Sequence, residues 1–536
     1  MSDSPEGLIW LGPDGADEDV SAQSAGSKAF GLWRMGKLGL RTPAAFALPT
    51  RLCAEVNANP AEAPGRIAAV LRAGCERLEA ATGRKLGDKR APLLVSVRSG
   101  AAKSMPGMLS TVLNVGLSAE AVHGLMRLTG DPRFAWDSYR RFIASYAVVV
   151  GGAPAPAFAR ALADMVRAES ARDESELDGE ALERLGIQFG DLAVRQAACP
   201  IPADPMDQLV AATLAVFRSW EDRKAQEYRR LNGLEALSGT AVTVQAMVYG
   251  NTGTRSGSGV AFSRNPATGT KELYVDFLID AQGEDVVSGR RTPMDAAALA
   301  HRFPDAFDEL TRGAAQLERE LRDVQDIEFT VENERLYFLQ TRSAKRTPRA
   351  ALAIAVDLVH EGVIDPAEAL QRLSHVDLDR AGQTRFADQV APLAVGTPAA
   401  PGVASGRAAF DSPSAKRLAA GGEPAILVRR EPATEDIEGF IAAAGILTAV
   451  GGRTSHAAVV TRELGKVCVV GCEALDIDES AGRATLAGHK LETGDWISLD
   501  GGAGEVTLGR RTVVNEKPRA ELAEVESWRT VEPSFA

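Results

Sequence analysis

The chain has 536 residues, a formal net charge of -12 and 45% hydrophobic residues. This length predicts about three domains, and the acidic balance argues against a nucleic-acid-binding surface or an anionic membrane partner. Because no apolar run approaches the ~20 residues that span a bilayer, and residues 1–6 lack the features of a signal peptide, we expect a cytosolic protein.

A lysine near the start of the first predicted helix is a candidate for a phosphate contact. Gly26, Ser27 and Lys28 form a small-residue turn that leads into a helix ending near Gly39. Backbone N–H groups at a helix start, together with one lysine charge, can hold a phosphate. On these local features alone, a solvated surface lysine is the simpler interpretation.

An arginine at the end of a predicted strand is the second candidate. Residues 93–99 carry Arg98 to the strand end, and a loop of small residues that includes Gly107 follows. Such a loop can bring backbone N–H groups onto a phosphate, and a guanidinium can clamp a phosphate through two hydrogen bonds. A salt-bridged arginine beside a surface loop explains the same local features equally well.

The middle of the chain changes from helices to strands. Residues 118–232 are mainly helical in pattern, and their aromatic stripe is more typical of a core than of a site. Residues 241–249, which contain Gln245, predict a strand that could line an adenine pocket. A glycine-rich strand and turn with Ser258 and Gly259 follows.

Residues 324–331 predict a strand that carries a pair of carboxylates. Its alternation places Asp326 and Glu328 on one face, about 7 Å apart. Two carboxylates in this arrangement can bridge Mg²⁺ to nucleotide phosphates, because hard cations prefer oxygen ligands.

The return strand, residues 336–342, carries Gln340 and Arg342 on one face. A three-residue connection at 333–335 would place these two side chains on the same face as the carboxylates, whereas a two-residue turn would not. We predict the three-residue connection. An exposed amphipathic hairpin fits poorly, because one face mixes acids, amide and guanidinium while the other is apolar.

The last third of the chain predicts a linker and a second folded part. Residues 346–390 predict a helical linker, and the Pro-, Ala- and Gly-rich stretch that begins at 391 predicts a hinge. Residues 391–510 then alternate strands and helices, and residues 511–536 form a charged tail. The part before the linker, residues 1–345, predicts a nucleotide-binding domain.

A histidine at a predicted helix start is the candidate nucleophile. The apolar run 445–450 predicts a buried strand, the glycines at 451–452 allow a tight turn, and a helix over 457–464 follows. His456 therefore lies in the first turn, where free N–H groups and the positive dipole end attract phosphate and disfavour imidazolium. A neutral imidazole beside an anion site suits a phosphohistidine carrier, although an ordinary histidine at a helix start has the same local pattern.

The stretch around His456, residues 451–466, resembles the phosphohistidine motif of the pyruvate phosphate dikinase family. Residues 93–114 and the carboxylate hairpin also resemble that family. The resemblance implies that His456 is phosphorylated and that Thr454 stands where plant members carry a regulatory phosphorylation site. It implies nucleotide contacts for Lys28, Arg98, Gly107, Gln245, Ser258, Gly259, Glu284, Gln340 and Arg342, and a Mg²⁺ site at Asp326 and Glu328.

The resemblance also implies an α/β and α+β multidomain fold, in which an ATP-grasp nucleotide-binding domain precedes a swivelling α/β phosphohistidine domain. The expected reaction transfers the β-phosphoryl group of ATP to His456 and yields AMP and pyrophosphate, with orthophosphate as co-substrate. Family members continue into a (β/α)₈ barrel of roughly 250 residues, for which the residues after 509 do not suffice. We therefore expect the acceptor to be bound by a separate subunit or enzyme.

Two other functions stay open from the sequence. The first is a self-contained small-molecule kinase built from the same domains, although no separate acceptor-binding domain is visible between the two parts. The second is a non-catalytic paralogue that regulates a full dikinase. Retention of His456, Asp326 and Arg98 argues against the second alternative.

Overall fold

The computed structural model describes residues 7–12, 20–103, 105, 109–197, 199–288, 291–431, 436–453, 456–478 and 481–530, and only the backbone of residues 383, 456, 457, 459, 463 and 530. The chain divides into two compact units. The first comprises Met1–Gly253 and Tyr337–Thr341, and the second comprises Thr254–Leu336 and Arg342–Ala536. The mixed α/β multidomain class predicted from the sequence is confirmed.

The first unit is built on a five-stranded sheet in which neighbouring strands are antiparallel, in the order β1-β2-β7-β5-β6. Strands β2 and β7 are buried along their whole lengths. Two further strands, β3 and β4, form a short parallel pair. The strands are β1 (Ile9–Trp10), β2 (Ala45–Leu48), β3 (Lys85–Leu86), β4 (Pro92–Leu93), β5 (Val95–Ala101), β6 (Thr111–Val115) and β7 (Thr240–Ala246).

Helices surround this sheet, and two of them, α5 and α8, begin at an aspartate followed by proline. At Asp131 and Asp204 the carboxylate accepts backbone N–H groups of the first turn, while the proline that follows has no N–H to satisfy. The buried aromatic side chains of the helices form one core with the sheet. The helices are α1 (Ala22–Lys37), α2 (Arg51–Ala58), α3 (Ala63–Thr82), α4 (Ala119–Thr129), α5 (Pro132–Val149), α6 (Ala155–Ala168), α7 (Gly179–Gln196), α8 (Pro205–Arg218) and α9 (Arg223–Leu231).

The second unit begins with strands of a four-stranded sheet in the order β11-β10-β8-β9, in which residues 337–341 of β11 belong to the first unit. Strand β8 pairs antiparallel with both of its neighbours. The elements of this part are β8 (Gly257–Phe262), β9 (Tyr274–Ile279), α10 (Gly283–Ser288), α11 (Ala296–Arg302), α12 (Pro304–Leu321), β10 (Gln325–Glu332) and β11 (Arg335–Ser343).

The stretch predicted as a helical linker contains α13 (Pro348–His360) and α14 (Pro366–Leu373). The stretch predicted as a charged tail also folds, into β24 (Val513–Glu516) and α18 (Arg519–Thr530). Val525 of α18 is buried in a core that it shares with α13 and α14, and β24 pairs with β12 (Gln383–Phe386). The sequence after the carrier part therefore returns to the linker.

The carrier part is an eight-stranded mixed sheet in the order β13-β23-β22-β15-β16-β17-β18-β14. Strands β15 to β18 run parallel, and the others add antiparallel edges. Strands β19, β20 and β21 form a separate antiparallel sheet. The elements are β13 (Ala394–Val395), β14 (Thr397–Ala400), β15 (Val403–Ala409), α15 (Ser412–Ala420), β16 (Ala425–Arg429), α16 (Ile437–Ala442), β17 (Gly445–Thr448), α17 (His456–Glu463), β18 (Val467–Val470), β19 (Leu475–Asp478), β20 (Arg483–Leu486), β21 (His489–Glu492), β22 (Trp496–Asp500) and β23 (Glu505–Leu508).

Within the residues that the structure describes, no helix is long and apolar enough to cross a membrane.

Candidate functional site

Three of the predicted nucleotide contacts meet in the first unit. Arg98 donates from Nη1 to Oε1 of Gln245 (3.3 Å) and from Nη2 to Oε1 of Gln340 (3.2 Å). Strands β5 and β7 are neighbours, and Gln245 pairs with the residue two positions before Arg98, so both side chains lie on one face of the sheet. The sequence predicted each of the three residues, and the fold brings them together.

The amide of Gln245 has capacity for a further partner. Its side chain is 3% exposed, and among the described residues its Nε2 has no hydrogen-bond acceptor. A buried donor without a partner is destabilising unless a ligand completes it. The cluster of Arg98, Gln245 and Gln340 therefore fits a ligand that carries hydrogen-bond acceptors, as a phosphate or a purine does.

Lys28 lies beside β5, the strand that bears Arg98. Helix α1 contains a kink at Gly26, whose φ of 78° separates two helical segments, so Lys28 lies two residues into the second segment. A Cβ added to Gly26 would lie 1.8 Å from the carbonyl oxygen of Gly100 on β5, so only glycine permits this close approach. The glycine turn that precedes Lys28 is thus fixed against the end of β5.

Asp326 is the central acid of the second unit. It is 6% exposed, and its Oδ2 accepts a hydrogen bond from Nε of Arg342 at 2.8 Å. Burial raises the pKa of the Asp326 carboxyl, and the Arg342 guanidinium only partly offsets this effect. Among the described residues its other oxygen, Oδ1, has no hydrogen-bond partner although it is buried.

The unpaired oxygen of Asp326 fits a divalent cation. Glu328, two residues along β10, is partly exposed and raises the pKa of Asp326 further through its negative charge. No group of three His, Cys, Asp or Glu side chains in the described part of the chain could hold a metal ion without other ligands. Asp326 and Glu328 would therefore hold Mg²⁺ together with phosphate oxygens and water, as is usual for this ion.

The predicted three-residue connection of the hairpin is wrong. Strands β10 and β11 are joined by two residues, Asn333 and Glu334, both in the left-handed region with φ of 49° and 67°. This backbone matches the type I′ turn, whose twist suits a hairpin. The turn is held from outside, because Glu334 accepts two hydrogen bonds from the Arg255 guanidinium (both 3.1 Å) and donates its N–H to the Arg255 carbonyl (2.9 Å).

A two-residue turn separates the carboxylate face of an ideal hairpin from the face of Gln340 and Arg342. Of the two side chains on the second strand, only Gln340 points away from the carboxylates as this geometry predicts. Gln340 contacts Arg98, whereas the long side chain of Arg342, at the end of β11, still reaches Asp326.

Three other predicted nucleotide contacts differ in burial: Ser258 and Gly259 are buried in β8, whereas Glu284 is exposed. The Ser258 hydroxyl is buried and lies 3.1 Å from the Thr330 hydroxyl, and a Cβ on Gly259 would lie 2.4 Å from the Phe329 ring. Both residues thus support strand packing in β8, and their contact with nucleotide stays a prediction. Glu284 is exposed on α10, and its role also stays a prediction. Gly107, a predicted nucleotide contact, and Thr454, at the position of the regulatory site of plant family members, lie outside the described residues.

The strand, turn and helix predicted around His456 are present. Strand β17 is the parallel neighbour of β16 and β18, and α17 begins at His456. Gly451, with φ of 126°, provides a turn that other residues rarely adopt. The histidine therefore occupies the first turn of a helix that follows the carboxyl end of a parallel strand, which is a common position for phosphate sites.

The glycine segment before His456 contacts the sheet that carries Asp326. A Cβ on Gly452 would lie 2.4 Å from Pro293 and 2.9 Å from Oδ2 of Asp276 on β9. The Arg453 guanidinium lies over the Tyr274 ring, 4.9 Å from its centroid. Two positive charges, from Arg462 and Arg453, lower the pKa of Tyr274, but burial dominates and raises it to about 12.

Sequence reasoning missed this contact. Tyr274 belongs to an apolar strand whose pattern does not predict a functional site. Arg453 and Arg462 lie inside the histidine motif, which by itself does not predict their contacts. Their shared position becomes visible only when β9 and α17 are placed in one unit.

Comparison with known proteins identifies both parts of the chain. Residues 61–303 match the family model "Pyruvate phosphate dikinase, AMP/ATP-binding domain", and residues 421–504 match "PEP-utilising enzyme, mobile domain". Through these two domains the chain is similar to the pyruvate phosphate dikinase family. The resemblance seen in the sequence is thereby confirmed.

Curated dikinases resemble most of the chain. Pyruvate, phosphate dikinase of Clostridium symbiosum is 45% identical over 491 residues, which are 90% of this chain and 56% of that protein. Chloroplastic pyruvate, phosphate dikinase 1 of Zea mays is 42% identical over 509 residues, 94% of this chain and 53% of that protein. The chain thus spans about half the length of the curated dikinases that it matches.

Proposed function

We propose that this protein is an ATP-dependent phosphotransferase that forms phosphohistidine at His456. The observation that carries the proposal is the contact of Gly452 and Arg453 with strand β9, in the sheet whose strand β10 bears Asp326. This contact brings the segment before the nucleophile to the sheet that holds the predicted metal ligands. The unpaired Oδ1 of Asp326 supports the same proposal.

The phosphate charges are met by cationic and amide groups. Lys28, Arg98 and Arg342 neutralise the phosphates of ATP, and Gln245 and Gln340 orient Arg98. Asp326 and Glu328 would hold Mg²⁺, which would supply positive charge to offset the charge of the transferred group. Positioning and charge compensation are most of what phosphoryl transfer requires of a protein.

The proposed transfer takes place in two displacements. The neutral His456 imidazole attacks the β-phosphorus, the bond from that phosphorus to the oxygen bridging to the α-phosphate breaks, and AMP leaves. Orthophosphate then attacks the γ-phosphorus, the bond between the γ-phosphorus and the oxygen that bridges to the β-phosphorus breaks, and pyrophosphate leaves. The β-phosphoryl group stays on His456, so the products are AMP, pyrophosphate and phosphohistidine.

The acceptor of the phosphoryl group would be bound outside the two matched domains, by a separate subunit or enzyme. The matched domains account for nucleotide binding and for the mobile carrier. Transfer to a distant acceptor requires the carrier domain to leave the β9 sheet, by motion about residues 385–402.

Intact mass after incubation with ATP and Mg²⁺, with and without orthophosphate, tests this function. We expect an acid-labile gain of one phosphoryl group that is absent in His456→Ala and is strongly reduced in Asp326→Asn. The matched control is His489→Ala, an exposed histidine of the same domain, which should be phosphorylated like the wild type. Release of pyrophosphate only with orthophosphate would support the dikinase route, and no mass gain under any condition would exclude the proposed function.

A further inference from the structure

Arg462 is a buried cation in the phosphohistidine helix. It lies six residues after His456 on α17 and is 3% exposed. Its side chain runs back toward the helix start, as helical side chains do. Nε donates to the Ala458 carbonyl (3.3 Å), and Nη2 donates to the Arg453 carbonyl (2.5 Å).

These two bonds join the helix to the segment that precedes it. Arg453 lies three residues before His456, and its own guanidinium rests on Tyr274. Arg462 therefore ties the first turn of α17 to the residue that contacts β9. The backbone on both sides of His456 is held by one guanidinium.

Among the described residues, the Arg462 guanidinium has no ion-pair partner. None of the described carboxylates forms an ion pair with Arg462, and Nη1 has no hydrogen-bond acceptor in the same part of the chain. The guanidinium lies over the Phe262 ring, 5.6 Å from its centroid, and its positive charge acts on Asp326. A buried guanidinium that has no ion pair within the described part of the chain is costly, which makes an anion that visits the site the natural compensation.

We infer that Arg462 is a positioning residue for phosphoryl transfer, which holds the Arg453 carbonyl through Nη2 and compensates the negative charge of the visiting phosphoryl group. This inference rests on the proposed function. It explains why a charged side chain is kept inside the docked face of the carrier domain, where a neutral side chain would be easier to bury. Since Arg462 belongs to the carrier domain, it should affect the transfer rate more than the binding of ATP.

Single-turnover phosphorylation by ATP and Mg²⁺ tests the inference in the full chain. Arg462→Gln should lower the rate constant for phosphohistidine formation about 100-fold, as expected for a misplaced nucleophile and a lost charge, with the ATP concentration at half-maximal rate unchanged. Arg462→Lys keeps the charge but loses the planar fork, so we expect a loss of roughly 10-fold. Arg407→Gln, which removes an ion pair with Glu423 elsewhere in the carrier domain, is the matched control and should resemble the wild type.

The outcomes separate this inference from the proposed function. If the wild type does not form phosphohistidine, the proposed function fails. If the wild type does and Arg462→Gln matches its rate, or if the loss lies in the ATP dependence, only the role of Arg462 is overturned. Circular dichroism reports folding, and if Arg462→Gln does not fold, a wild-type rate in Arg462→Lys overturns the charge-and-fork argument.

Discussion

At the scale of single residues, two buried aspartates have opposite surroundings. Asp137 is paired with the guanidiniums of Arg140 and Arg141 and accepts a hydrogen bond from Asn251 at 3.1 Å. Burial alone would raise the pKa of Asp137, but the neighbouring guanidiniums outweigh it and hold the pKa well below its usual range. At Asp326 burial prevails and raises the pKa, and one oxygen has no hydrogen-bond partner among the residues that the structure describes. The satisfied acid stabilises the fold, whereas the unsatisfied acid fits a ligand.

Asp137→Asn should therefore lower the free energy of unfolding by about 3 kcal/mol, because it removes the buried carboxylate that pairs with Arg140 and Arg141 and leaves them with Glu174. Since the folded pKa of Asp137 lies below the unfolded value, its stabilisation is present above about pH 4 and is lost as the pH falls toward the folded pKa. Urea unfolding of wild type and variant at pH 3 to 7 measures this. An equal difference at every pH would contradict the assignment.

At the scale of elements, Arg264 joins a strand end to two helices. It is fully buried, donates to Glu318 of α12 (2.7 and 2.9 Å) and contacts Asp357 of α13 (3.2 Å) and Glu361, the residue that caps the C-terminus of α13 (2.9 Å). A guanidinium suits this place because its five donors can serve several carboxylates at fixed angles. The cluster thus fixes the linker helix α13 to the sheet that carries Asp326.

Replacing Arg264 by Met should destabilise the second unit by about 3–5 kcal/mol, because Glu318 would remain buried without its cation. Arg312→Met on the exposed face of α12 is the matched control, and it should change stability by less than about 0.5 kcal/mol. Denaturant unfolding followed by circular dichroism distinguishes the two variants. Equal stability of the Arg264 and Arg312 variants would show that the cluster contributes little.

At the scale of the whole molecule, the carrier domain and strand β10, which bears Asp326 and Glu328, fall in one compact unit, although the sequence predicts a domain boundary at residue 391 between them. Within this unit the carrier domain contacts residues 292–293, and small residues of the carrier domain allow this contact. Gly452 lies against Pro293, and Gly471 lies against Thr292. A larger side chain at either glycine would require one surface to move away from the other.

We therefore expect Gly452→Ala to slow phosphohistidine formation at least ~10-fold, because a displaced nucleophile loses the benefit of proximity. Its Cβ would lie 2.4 Å from Pro293, whereas a Cβ at Gly502 would meet only Asp500 at 3.3 Å. Gly502→Ala is the control. Single-turnover phosphorylation and nucleotide binding should be measured for both, and an unimpaired Gly452→Ala would show that the observed contact is not the transfer geometry.

The amino-acid sequence by itself determined the class of fold, the strand, turn and helix around His456, and the identity of the polar residues at Arg98, Gln245 and Asp326. These features depend on local periodicity, on glycine and on capping residues, all of which can be identified from residues that are close together in the sequence. The family resemblance rests on the same local stretches.

The tertiary structure decided how those pieces meet. The hairpin turn at Asn333 and Glu334 is fixed by Arg255, which lies 79 residues from Glu334, so local rules predicted the wrong loop length. The sequence after residue 510 predicts a charged tail. In the structure its Val525 packs in one core with helices α13 and α14, which are distant in sequence. The position of Arg462 between Arg453 and the Asp326 sheet has the same origin. Side-chain contacts across long separations depend on packing, and packing leaves no periodic signal in the chain.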